Sequence, residues 1–118
     1  MAKTVTAEIW YHAPNDTLYV RLRPRRPARM AETDYDFYIR YDWENPDQIV
    51  GFEWLDFSAY FGMLDEPGVI PDVDFLFHIA GTPHTGLTLK EVLRWAYQHY
   101  VLETSPPLEI LTPEMAVS

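Results

Sequence analysis

Apolar and polar residues alternate with a period of two through the first half of the chain. Leu18, Val20 and Leu22 interleave with Tyr19, Arg21 and Arg23, the pattern of a strand with one face in a core and one in water, so the arginines are expected to point outward. With a short strand over residues 8–12 and the turn-forming run Ala13-Pro14-Asn15-Asp16 between them, this predicts a β-hairpin. Prolines at 24 and 27 interrupt the pattern, because proline gives no ladder hydrogen bond and restrains the residue before it, so a loop is expected there. From Tyr35 the alternation returns as a third strand, with Phe37, Ile39 and Tyr41 on one side and Asp36, Tyr38, Arg40 and Asp42 on the other. Asn45-Pro46-Asp47 supplies a type I turn, and residues 49–55 form a fourth strand, with Val50, Phe52 and Trp54 facing one way and Gly51 and Glu53 the other.

Beyond residue 55 the period changes. Asp56 is placed to accept from the free amides of a short helix over residues 57–62, closed by Gly62. Residues 64–71 read as loop. Residues 72–80 alternate at Val73, Phe75, Phe77 and Ile79 but also suit a helix in length, and helix is the preferred reading. Thr88-Leu89-Lys90-Glu91 is a capping box that opens a helix running to about Glu103. Its first apolar stripe is Leu89, Val92, Leu93, Ala96 and Tyr100. A second, of Trp95, His99 and Leu102, needs cover from the tail around Pro106 and Pro107 or from another chain. The fold expected is therefore α+β: a four-stranded antiparallel β-meander, a short helix and a C-terminal helical segment, forming one domain over residues 1–118 with residues 62–71 as the only seam.

Charge narrows the range of partners. The net charge is −9, yet residues 1–40 carry seven basic and five acidic side chains while residues 41–118 carry two and thirteen. An acidic chain disfavours nucleic acid or anionic membrane as the main partner, and any basic surface has to come from the first third. The absence of cysteine excludes disulfides, thiolate metal sites and cysteine nucleophiles. With no apolar run suited to a signal peptide or membrane span, a cytoplasmic location is expected. Four Trp, eight Tyr and six Phe provide either a small core of bulky rings or an exposed aromatic interface.

The run from Tyr11 to Leu22, with its Asp-x-Leu-Tyr-Val-Arg-Leu strand, followed by Ile39-Arg40-Tyr41-Asp42 and by Val50-Gly51-Phe52-Glu53-Trp54-Leu55-Asp56, resembles the bacterial family called domain of unknown function 2283. The resemblance covers about residues 8–61. It implies a compact four-stranded antiparallel sheet followed by a helix, with no established activity and no catalytic residues to carry over. Some relatives are thought to accompany small toxin-like proteins, which implies a neutralising partner. The basic insertion at residues 24–27 and everything after Phe61 depart from the family pattern, leaving residues 62–118 as a C-terminal extension.

Few motifs carry chemistry. Arg21, Arg23, Arg25 and Arg26, with Arg29 close by, form a candidate anion contact for phosphate or RNA, or else neutralise carboxylates across the sheet. The pairs Asp34 and Asp36, Asp42 and Glu44, and Asp72 and Asp74 lack calcium-loop spacing. His12, His78, His84 and His99 lack zinc-pair spacing. Ser58, Ser105 and Ser118 lack a nucleophile elbow, and no glycine-rich phosphate loop occurs. No catalytic residue, metal or cofactor is expected. The favoured function is a non-catalytic protein interaction module, self-associating or neutralising a basic partner, with Trp54, Trp95, His99 and Leu102 as candidate interface or pocket residues. The alternative is a small-molecule binder or enzyme with an aromatic pocket between sheet and C-terminal helix, lined by Trp54, Trp95 and His99.

Overall fold

A computed structural model describes residues 2–103. The chain runs β1 (Thr4–His12), a 3₁₀ turn (Ala13–Asn15), β2 (Thr17–Leu22), β3 (Ala28–Glu32), β4 (Phe37–Asp42), β5 (Ile49–Trp54), α1 (Phe57–Phe61), β6 (Leu76–Ile79) and α2 (Leu89–Ala96), followed by π-helical turns (Tyr97–Leu102). The α+β class stands. The sheet, however, has six strands in the order β3-β4-β5-β2-β1-β6, and it is mixed because β6 runs parallel to β1.

It is therefore not the expected four-stranded meander. The two hairpins meet through β2 and β5, with Leu18 opposite Trp54 and Val20 opposite Phe52. These strands have the most continuous apolar inner faces, so placing them side by side at the centre buries the most surface. Residues 28–32, expected as loop, pair with β4 as an edge strand, which their mixed composition suits. Residues 72–80, expected as helix, instead contribute β6. Phe77 and Ile79 are buried there, and Leu87 bonds back to Phe77 through both main-chain groups (2.8 and 3.0 Å), covering that edge. The alternation at Phe77 and Ile79 was the true signal, because a parallel partner was available in β1.

One face of the sheet carries the core. Leu18, Val20, Phe37, Phe52 and Trp54 pack beneath Phe57 and Tyr60 of α1 and Val92 and Leu93 of α2. The capping box forms as expected: the Glu91 amide donates to Thr88 Oγ1 (3.2 Å) and the Thr88 amide to the Glu91 carboxylate (2.8 Å). After Ala96 the helix widens into π turns, where Tyr97 stacks on Phe61 (3.9 Å between centroids) and the Tyr100 hydroxyl donates to the Ile9 carbonyl (3.0 Å). Asp56 does not cap α1. It sits in the left-handed region with φ 48° and makes no side-chain cap bond, and Asp16 supplies the cap from the first hairpin turn. Asp42, expected on the polar side, is 2 % exposed because Arg26 lies over it and its Oδ1 accepts from the Glu44 amide.

Candidate functional site

Opposite the core, the sheet has a face that no helix covers among the described residues. Cross-strand register arranges it in rows: Trp10, Tyr19, Glu53, Tyr38 and Glu32 in one, and Glu8, Arg21, Gly51, Arg40 and Met30 in the next. Trp10 and Tyr19 stack at 5.0 Å, and the Arg21 guanidinium lies over both rings at 5.4 and 5.6 Å, with Arg25 at 5.9 Å from Trp10. The Arg21 cation is thus within reach of the negative faces of both rings.

Gly51 shapes the centre of the second row. A Cβ there would fall 2.7 Å from the Val20 carbonyl oxygen and 3.2 Å from Cδ of Arg40. Its absence lets Arg21 and Arg40 approach from either side. With Arg25 and Arg26 they line a hollow of about 160 Å³, to which Leu22 and Val50 also contribute. Arg21 Nη1 is buried and has no hydrogen-bond partner among the described residues. Burial, and then the neighbouring Arg40, lowers the Arg21 pKa.

The anion contacts expected from sequence are thus brought together, but not as equals. Glu8 bridges Arg23 (2.9 Å) and Arg25 (2.8 Å), whose hydrogen bonds, Arg25 first, hold its carboxyl below the ordinary range. Arg26 Nε lies 3.5 Å from the buried Asp42 carboxylate. Among the described residues Arg21 makes no such pair, and its neighbour across the glycine is Arg40. Arg40 and Gly51 escape sequence reasoning as site residues, although their outward parity was legible, because register alone sets Gly51 opposite Arg21 and Arg40 opposite Gly51.

The aromatic candidates are brought together only in part, Trp95 with His99. Trp54 is fully buried among Phe37, Phe52 and Tyr60, with centroids at 5.3, 5.3 and 5.7 Å. Trp95, half-buried against the core, stacks on the exposed His99 (4.7 Å), and Leu102 is exposed. Leu89, Val92, Leu93 and Ala96 of α2 are buried in the core against the sheet. A cleft of about 740 Å³ is lined by Lys3, Arg23 and Arg26 together with Asp47, Asp72 and Asp74. The suggested cover from Pro106 and Pro107 lies outside the described residues. Among the described residues no three histidine or acidic side chains converge as metal ligands, and no helix is long and apolar enough to cross a membrane.

The β3 edge is the remaining feature. The Thr33 amide donates to the Phe37 carbonyl (3.0 Å) and the Trp43 amide to the Pro27 carbonyl (3.0 Å). In an antiparallel ladder this phase directs the main-chain groups of the odd-numbered residues towards β4 and those of Ala28, Met30 and Glu32 away from the sheet. Residues 29–32 are exposed, and Met30 and Trp43 present large apolar side chains beside the edge.

No family model, curated protein or solved structure matches the chain.

Proposed function

We propose that the protein is a non-catalytic interaction module that self-associates by pairing β3 with β3 of a second copy. The outward phase of Ala28, Met30 and Glu32 carries this reading. An antiparallel pairing centred on Met30 sets Ala28 opposite Glu32 of the other copy at each end and satisfies the outward amides and carbonyls of both strands. A two-fold axis normal to the sheet requires a residue opposite itself, and Met30 meets that condition. Its exposed side chain (44 %) would be buried against its own copy.

Magnitudes set the expected strength. About six new hydrogen bonds contribute roughly 1 kcal/mol each, and Met30 burial adds about 1–2 kcal/mol per copy. Association costs several kcal/mol, so a reversible dimer with a dissociation constant of roughly 10 µM to 1 mM is expected. Sedimentation equilibrium up to millimolar protein tests it. Met30→Pro is the matched variant: it removes an outward N–H that β4 does not use, so the fold is kept while pairing is lost. A chain that stays monomeric throughout, or a Met30→Pro protein that dimerises like the parent, sinks the proposal.

A further inference from the structure

The geometry points to the hollow between Arg21, Arg40, Arg25 and Arg26 as a binding site for a single phosphate-type dianion.

Its construction is costly for a chain of this composition. The protein carries twice as many acidic as basic side chains, yet four arginines face one small hollow. Glu8 engages Arg25, Asp42 engages Arg26, and Glu53 is the acid that acts on Arg21. Arg21 and Arg40 still repel one another across a glycine that keeps them close. Arg21 carries a buried guanidinium nitrogen without a partner among the described residues, and its cation lies over Trp10 and Tyr19, so its charge is not matched by a bonded carboxylate.

The size of the hollow and the charges around it select the ligand class. At about 160 Å³ it takes a tetrahedral oxyanion and the first atoms bonded to it. Convergent arginine forks favour the multiple acceptor oxygens and double charge of phosphate over a monoanion. Glu8 closes one end of the arginine row and Glu53 stands in the adjoining row, so neighbouring phosphates of a polymer would be repelled where one group is accepted. The hollow is complete within a single chain, so this inference does not depend on dimer formation.

Amide and arginine Nε NMR shifts, followed during titration with sodium phosphate and with sodium chloride at equal ionic strength, test the assignment. Saturable shifts centred on Gly51, Arg21 and Arg40 with phosphate, absent with chloride, are expected. Phenyl phosphate is the second arm: tighter binding than inorganic phosphate assigns an organic monoester, and equal binding assigns the free ion. Arg21→Gln and Arg40→Gln should each weaken binding about tenfold while leaving the melting temperature equal to or above that of the parent, because each relieves a like-charge contact. Met30→Pro should bind phosphate normally. Matching shifts in chloride, unchanged affinity in both glutamine variants, or tighter and spatially diffuse binding of single-stranded RNA would overturn it.

Discussion

Asp16 caps α1 through Ser58, a residue 42 positions later in the chain. Asp16 Oδ2 accepts from the Ser58 amide (3.0 Å), its Oδ1 accepts from the Ser58 hydroxyl (3.1 Å) and from the Tyr11 hydroxyl, and its carbonyl accepts from the Phe57 amide (2.9 Å). One carboxylate therefore ties the turn of the first hairpin to the start of the helix that closes the core. Its backbone is left-handed at φ 53°, which asparagine tolerates and alanine does not. Asp16→Ala is expected to cost about 2–3 kcal/mol and Asp16→Asn clearly less, as read from chemical denaturation. Equal losses would place the effect in the carboxylate charge that both variants remove rather than in the backbone.

Gly51 is the tightest point of the open face. Gly51→Ala puts a methyl group 2.7 Å from a backbone oxygen, which side-chain movement cannot relieve, so β2 and β5 must separate. A loss of about 1–3 kcal/mol is expected, with larger amide shifts at Val20 and Arg40 than at Trp43. A neutral substitution would show that this strand pair has slack.

Two tryptophans of opposite placement give a direct test of the core. Trp54 is fully buried and Trp43 is 63 % exposed beside Arg29. Trp54→Ala should cost about 3–5 kcal/mol or prevent folding, and Trp54→Phe should keep a folded but weakened protein. Trp43→Ala should stay within about 0.5 kcal/mol of the parent. Iodide should quench Trp43 fluorescence and leave Trp54 emission untouched.

Alkali should unfold the protein through its tyrosines. Burial raises Tyr60 to about 12, and burial together with the bond to Asp16 raises Tyr11 to about 12, from an ordinary value of 10. Between pH 10 and 12 the unfolded chain releases these protons and the folded one holds them, so stability is full below 10 and falls as pH rises through the folded values. Tyrosinate absorbance should show these two rings ionising together with loss of the folded circular dichroism. Their ionisation at pH 10 in a folded chain would contradict the packing around them.

Local patterns settled much of this protein before any tertiary contact was known. Alternation at Leu18, Val20 and Leu22 and at Val50, Phe52 and Trp54 identified the central strands and their buried faces, because a pleated strand repeats every second residue whatever its neighbour. Thr88 and Glu91 marked the start of α2, since a capping box is closed within a single turn. Strand partners were beyond such reasoning. That β2 takes β5 rather than β4, that residues 76–79 join β1 in parallel, and that Asp16 rather than Asp56 caps α1 are outcomes of competition between distant segments for the same surface and the same free amides. The arginine hollow belongs to both levels. The sequence placed Arg21, Arg40 and Gly51 outward on three separate strands, and only the pairing of those strands set them side by side.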